Sequence, residues 1–323
     1  MPRLIYYGDD RPGITRLRRG RGFSYRAPDG TTIDDKRERA RIAALAVPPA
    51  YEQVWISPKP NGHLQATGRD SRQRKQYRYH PDWRAEQEAV KYDGLAEFGR
   101  ALPAIRRRVL TDLKGTAGEQ RFAIAAIIAM LDRLAIRIGN HDYAETNGTY
   151  GATTLQRRHM KLKGGEIALR YTAKGGLDVR KVLKDRTLNR VLEQLHDLPG
   201  GNLISWTDED DRPRAVTSDQ VNAALAEMVE TPGITAKTFR TWAGSEAALS
   251  VALKQEHPTI RALSEAASER LANTPTVARN SYIHPAIIDL AETDFDTRKA
   301  LLADLPETDG LRITERALLR LIG

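Results

Sequence analysis

One tyrosine in this chain stands where it could act as a nucleophile. Tyr282 lies in NTPTVARNSYIHPAII, residues 273–288, boxed between Pro275 and Pro285. Thr274 followed by Pro275 is an N-cap and first-turn pair, and Pro285 must end what it starts. A short helix is therefore predicted, with Tyr282 in its last turn and Arg279 one turn behind on the same face. A phenol with a pKa of about 10 is only ~0.1% ionised near neutrality. It becomes a useful nucleophile toward a phosphodiester only if the phosphate is neutralised and held in line. Two arginines forking onto the non-bridging oxygens would do that. A lysine could then protonate the departing sugar oxygen, with no metal or cofactor involved. The competing explanation is an aromatic plug in a helical core.

Three basic residues upstream have local settings that bear on this choice. Arg137 closes the apolar stretch GEQRFAIAAIIAMLDRLAIRIG just before Gly139, where a cation would also answer a helix C-terminal dipole. Lys174 sits where a strand runs into KGG, and taken alone it is a surface lysine at a strand end. Arg240 stands in AKTFRTWAGS between Phe239 and Trp242, in a segment suited to burial. A buried arginine needs an anionic partner. Other chemistries find little footing. There is no GxxxxGK[ST] loop for a nucleoside triphosphate. There is no HExxH or paired CxxC, and no cysteine at all, so no zinc site is expected. The run DEDD at 208–211, followed by Pro213, is simpler as a solvated turn than as a magnesium site.

The elements that must position these residues fall into two textures. Of 51 Lys+Arg and 42 Asp+Glu, residues 1–85 hold 18 and 9, so the whole net charge of +9 sits there and the remainder is balanced. A basic lobe joined to a neutral one suits a polyanion clamp, and nucleic acid fits better than lipid because no basic amphipathic helix appears. Residues 1–85 show strand-turn-strand texture in GFSYRAPDGTTI and YEQVWISPKPNGHLQATG, with turns at 28–30 and 60–62. DDKRERARIAALAVPPA is a helix stopped by Pro48 and Pro49. A linker is expected near 82–94. The rest is predicted as mainly helical, with the helix over 119–138 capped by Gly139 and a hairpin tipped by Gly164-Gly165. Further helices follow, one capped by Ser218. The fold class is thus α+β: a β-rich domain over 1–85 and a mainly α domain over 86–323 with a small inserted sheet. The first residues lack the apolar core of an export signal, and FAIAAIIAML is too short to span a bilayer. A cytoplasmic location is expected.

Taken in order, IRIGN, YGATTLQRRHMKLKGG, YTAKGG, TAKTFRTWAGS and NSYIHPAI resemble the bacterial branch of type IB DNA topoisomerases, close to the poxviral enzymes. HLQATGRDSRQRKQYRYHPDWR is similar to that family's DNA-gripping domain, and the likeness covers about residues 15–300. The resemblance implies relaxation of supercoiled duplex DNA by nicking one strand, rotation and resealing, without ATP or metal. It implies that Arg137 and Arg240 hold the scissile phosphate, Lys174 is the general acid to the 5′ oxygen, and Tyr282 forms a 3′-phosphotyrosyl bond. Poxviral and nuclear members carry a histidine nine positions before the tyrosine, whereas several bacterial members carry asparagine. Here Asn273 occupies that place and can donate to an oxyanion without carrying charge. His284 and His159 are lesser substitutes. A C-shaped clamp around double-stranded DNA, a monomer, and a nucleoid-associated location follow as expectations, with no membrane or nucleotide partner.

The resemblance also sets Lys75, Gln76 and Tyr77, with Tyr79 nearby, against bases in the groove. Glutamine pairs bidentately with adenine, and lysine with guanine or phosphate. Tyr77 and Tyr79 would otherwise pack the sheet from one face. Arg69, Arg72 and Arg74 are expected on phosphates, giving affinity without sequence preference. Two alternatives stay open. A tyrosine recombinase shares the chemistry but typically shows HxxR, where this chain has KTFR with Lys237. A non-catalytic DNA-binding protein on the same scaffold would form no covalent adduct.

Overall fold

Alternation of apolar and polar residues in the first eighty positions produces an antiparallel sheet. The computed structural model describes residues 3–71, 73–198, 200–229 and 231–323. Its contacts divide the chain into two compact units, 1–91 and 92–323. In the first unit, strands β1 (Ile14–Arg19), β2 (Gly22–Arg26), β3 (Glu52–Ile56), β4 (Leu64–Arg69) and β5 (Lys75–Tyr79) pair in the order β2-β1-β3-β4-β5. Helix α1 (Lys36–Ala44) is started by Asp35, whose carboxylate accepts from the Glu38 amide at 2.7 Å, and it lays Ile42 on the sheet. Ile14, Ile42, Val54, Ile56 and Ala66 form the small core. So modest a core is reinforced by side chains that tie down loops. Arg16 donates to the carbonyls of Val47, Pro48 and Tyr51, and buried Gln65 donates to those of Lys59, Pro60 and Gly62.

The linker expected near 82–94 is instead a helix, α2 (Pro81–Asp93). Pro81 supplies a pre-set φ at the first position, Asp82 answers the N-terminal dipole, and the following residues are good helix formers. The compact units part within it, past the boundary at 85 that composition suggests.

The second unit is mostly helical: α3 (Leu95–Asp112), α4 (Gln120–Leu134) and α5 (His141–Asn147) precede a three-stranded antiparallel sheet. That sheet is β6 (Met160–Lys163), β7 (Glu166–Ala173) and β8 (Leu177–Lys184), in chain order. Gly164 and Gly165, both at positive φ, make the first turn as the sequence predicts. After α6 (Arg186–His196) comes a two-stranded ribbon, β9 (Ser205–Thr207) and β10 (Pro213–Ala215). The acidic run lies between these strands as a turn: Asp208 accepts from the amides of Asp210 and Arg212 and pairs with Arg214. Then follow α7 (Ser218–Met228), α8 (Ala236–Lys254), α9 (Ile260–Leu271), α10 (Pro275–Tyr282), α11 (Pro285–Asp289), α12 (Phe295–Ala300) and α13 (Ile313–Ile322). Thr217 rather than Ser218 caps α7. Among the described residues no helix is long and apolar enough to cross a membrane.

The core of this unit wraps α4, whose residues 122–131 are buried apart from Ile124, and seats α8 against it. Phe98 of α3 meets Phe239 and Trp242 of α8 edge-to-face, at 4.9 and 5.8 Å between ring centroids. The elements beyond α10 are fastened by a buried arginine. Arg298 of α12 is 1% exposed and donates to the carbonyls of Ala252, Gln255, Glu256, Leu290 and Thr293. It thereby satisfies the carbonyls that end α8 and those of the turn before α12. Arg298→Met keeps the apolar stem but strips every donor. It should lower unfolding free energy by about 3 kcal/mol in urea titration. A loss under about 1 kcal/mol would mean that these carbonyls find other partners.

Candidate active site

The site is built where two helices end. Apolar periodicity continues through Ile136 and Ile138, which makes Gly139 look like the cap of α4. The helix instead closes at Ala135, which takes the left-handed conformation (φ 52°). Arg137 therefore projects from the segment beyond the helix rather than from its last turn. That segment is held chiefly through its backbone: Ala152 and Thr153 amides donate to the Arg137 and Ile138 carbonyls, each at 2.8 Å, and the Thr153 hydroxyl adds a bond to the Ile138 carbonyl at 3.0 Å. A Cβ on Gly151 would sit 2.5 Å from the Arg137 carbonyl oxygen, so YGATT needs its glycine for this close approach. Helix α9 ends in the same manner, at left-handed Ala272 (φ 49°), with the Asn273 amide returning to the Ser268 carbonyl at 3.0 Å. Asn273 and Arg137 thus leave neighbouring helix ends, and Arg137 donates to Asn273 Oδ1 at 2.5 Å.

Two C-termini present orphan carbonyls and the negative ends of their dipoles. Cations answer both. Arg240 of α8, 3% exposed, donates to the Ala135 carbonyl and, at 3.1 Å, to the Leu271 carbonyl. Arg270 reaches from α9 to the Arg133 carbonyl of α4 at 3.0 Å. This explains how an arginine survives in the FRTW segment: carbonyls, not a carboxylate, receive it. Its Nε and the Nδ2 of Asn273 are buried donors without a partner among the described residues. Burial, and then the charge of Arg137, press the Arg240 guanidinium below the usual arginine range. Unpaired donors and mutually repelling cations make a place complementary to a phosphate group.

Tyr282 is the last residue of α10, with Thr274 as N-cap. Its ring packs on Ala135, Ala243 and Leu271, 5.0 Å from the Arg240 guanidinium carbon. Burial raises the phenol's pKa, but Arg240, Arg137 and Lys237 together outweigh it and hold it below the usual phenol range. Two residues of the AGS sequence, to which the sequence alone assigns no role, fix this tyrosine's backbone. A Cβ on Gly244 would lie 2.8 Å from the Tyr282 carbonyl oxygen. Fully buried Ser245 donates to that carbonyl at 3.2 Å and accepts from the His284 amide at 3.0 Å.

The structure thus brings Arg137, Arg240, Asn273 and Tyr282 together. Lys174 is exposed in the turn between β7 and β8, with no hydrogen bond to another described residue. Arg279 is exposed on α10. His284 is occupied as the N-cap of α11, accepting from the Ala286 amide at 3.2 Å. His159 accepts from the Gln156 amide at 3.1 Å and packs on Tyr150. Among the described residues no group of His, Cys, Asp or Glu is placed to hold a metal ion.

In the first unit, β5 is an edge strand that carries the other predicted contacts. Tyr77 and Tyr79 are 49% and 41% exposed, stacked on one face with ring centroids 6.1 Å apart. Lys75 pairs with Asp9 at 2.6 Å, and Arg74 and Gln76 both reach Asp70. Arg69 donates to Gln53 and to the Gln73 carbonyl. These polar side chains are therefore braced by neighbours although Arg74 and Lys75 remain exposed, and the two tyrosine faces lie open beside them. Arg72 lies outside the described residues.

A tyrosine tuned toward its anion beside clustered phosphate donors is the equipment of a phosphodiester transesterase. Comparison with known proteins supplies the particular family. A model of the bacterial DNA topoisomerase IB N-terminal domain matches residues 22–70, and one of the eukaryotic DNA topoisomerase I catalytic core matches residues 80–282. The DNA topoisomerase 1B of Acanthamoeba polyphaga mimivirus is 26% identical over 297 residues, 87% of this chain and 88% of the viral one. That of vaccinia virus (strain Copenhagen) is 21% identical over 284 residues, 80% of this chain and 86% of its own. Among solved structures, the XerH site-specific recombinase bound to difH aligns at 14% identity and a TM-score of 0.38, covering 59% of this chain and 52% of its own. The chain belongs to the type IB DNA topoisomerase family, and is a DNA-binding isomerase.

Proposed function

We propose that Tyr282 nicks one strand of duplex DNA and that the break is resealed after strand rotation. Its Oη attacks the scissile phosphorus as the phenol gives up its proton to solvent water. The Oη–P bond forms while the P–O5′ bond breaks, leaving a 3′-phosphotyrosyl linkage. Arg137, Arg240 and Asn273 bind the non-bridging oxygens, and Lys174 passes a proton to the leaving O5′. The linkage conserves the energy of the phosphodiester, so resealing is the reverse reaction and needs no nucleotide. The observation that supports this most is the convergence of Arg240, Arg137 and Asn273 on Tyr282 at the ends of α4, α9 and α10.

Around this chemistry the basic first unit grips duplex DNA through phosphate contacts, with Tyr77, Tyr79, Lys75 and Gln76 toward the groove and Arg69, Arg72 and Arg74 toward the backbone. The two units act as a C-shaped clamp in a monomer that works on cytoplasmic, nucleoid-associated DNA. Lys174 approaches O5′ only when duplex DNA is bound, which fits a lysine on an exposed turn. The test is relaxation of negatively supercoiled plasmid by the purified protein in EDTA without ATP. Full relaxation is expected, through topoisomers that differ in linking number. Activity that EDTA abolishes, or none under any condition, would refute the reading.

A further inference from the structure

Strand β8 places a lysine where its register calls for an apolar residue. In LDVRKVLK the inward positions alternate as Val179, Lys181 and Leu183, and Lys181 lies opposite Leu169 of β7. From that inward face its ammonium reaches the end of α9. Nζ donates to the Arg270 carbonyl at 2.6 Å and to the Glu269 carbonyl at 3.3 Å. Arg240 takes the next carbonyl, that of Leu271, and the chain then turns through Ala272 into Asn273. Lys181 is thus part of the C-cap of the helix from which the phosphate-binding amide and the nucleophile's helix follow. The same strand leads back, over roughly 13 Å of extended chain, to the turn that carries Lys174.

We propose that Lys181 is a positioning residue for strand cleavage, clamping the hairpin that bears Lys174 onto the α9 end that bears Asn273. The clamp lets two groups from distant parts of the sequence meet opposite sides of one phosphorus, Lys174 at the leaving oxygen and Tyr282 at the attacking one. Nothing else among the described hydrogen bonds joins β8 to α9. Thr172 of β7 accepts from the Tyr150 amide at 2.9 Å, which holds the hairpin's other strand to the loop beside Arg137. With Lys181 in place both strands are referenced to the two helix ends; without it, the turn pivots on β7 alone. The placement is costly to the ammonium. Burial first, then Arg270 and Arg240, bring its pKa down to about 8 against the opposing pull of Glu269. A methionine or leucine would fill the inward position without that cost, but could not hold the carbonyls.

The inference rests on Lys174 being the general acid, so its test separates the two. Single-turnover cleavage is measured on a suicide duplex with the ordinary 5′ oxygen and on one with sulfur at that bridging position, whose thiolate leaves without a proton. Lys181→Met should cleave the ordinary duplex roughly 10- to 100-fold more slowly, the scale of a misplaced catalytic group. It should cleave the sulfur duplex within about threefold of the unaltered protein, because no acid is needed there. DNA affinity should be unchanged, and Lys181→Arg, which keeps a cation for the carbonyls, should recover most of the rate. If the methionine variant does not fold, Lys181→Gln retains two donors without charge and should show the same selective loss in milder form. An equal loss on both duplexes, or no loss on the ordinary one, overturns the clamp. Lys174→Ala runs alongside. If sulfur rescues it but not Lys181→Met, only the clamp falls; if sulfur fails to rescue Lys174→Ala, both do.

Discussion

Tyr282→Phe should abolish the covalent protein–DNA adduct and plasmid relaxation while leaving duplex affinity within about twofold, since only the oxygen proposed as nucleophile is removed. The packing makes this a clean test. The ring contacts Ala135, Ala243 and Leu271 and faces the Arg240 guanidinium, and phenylalanine keeps all of these. The backbone bonds through Ser245 involve the Tyr282 carbonyl and the His284 amide, which the substitution does not touch. Stability should therefore hold, and the loss should appear only as missing SDS-resistant labelled DNA after reaction with a suicide duplex. A rival nucleophile under the influence of the same two arginines is Tyr171 of β7, a buried residue. Burial pushes its phenol up to about 12, despite the opposing pull of Arg240 and Arg137. An adduct that persists in Tyr282→Phe would move the nucleophile elsewhere and overturn the assignment.

Local rules made some of this site legible in the sequence, and its unread parts are long-range. Thr274-Pro275 and Pro285 bound α10 because capping and proline geometry act within a few residues. The end of α4 was not legible, since apolar spacing runs on to Ile138 while the chain leaves the helix at Ala135. What holds the exit is Ala152 and Thr153 taking the backbone beyond it, at an approach that Gly151 permits, and no window of sequence around α4 contains them. Arg240 was recognisable as a misfit in an apolar segment, but its carbonyl partners at Ala135 and Leu271 are 105 and 31 residues away. Lys181 reads as one of many lysines until the pleat of β8 turns it inward. Composition told of a basic first lobe, yet it could not tell that Lys75, Arg74 and Gln76 are braced by Asp9 and Asp70.

The second large effect belongs to Arg240, because two functions meet in one guanidinium. In the proposed mechanism Arg240→Ala removes a donor to the reacting phosphate, a change that typically costs about 10²–10³ in rate. It also strands the Ala135 and Leu271 carbonyls in a buried place, at about 1–3 kcal/mol each. Cleavage should fall about 10³-fold or more, since the helix ends that carry Arg137 and Asn273 lose their common tie as well. Urea denaturation should show a loss of about 2–4 kcal/mol in the same variant. Arg240→Lys separates the two functions. One ammonium can recover charge and one carbonyl, but it lacks the planar fork that spans two carbonyls and still offers Nε to a phosphate. Most of the stability should return, with single-turnover cleavage still at least about 100-fold down. Lysine restoring cleavage to within about tenfold would mean that charge alone suffices at this position. The forked recognition would then fall to Arg137, and Arg240 would be chiefly the cap of two helices.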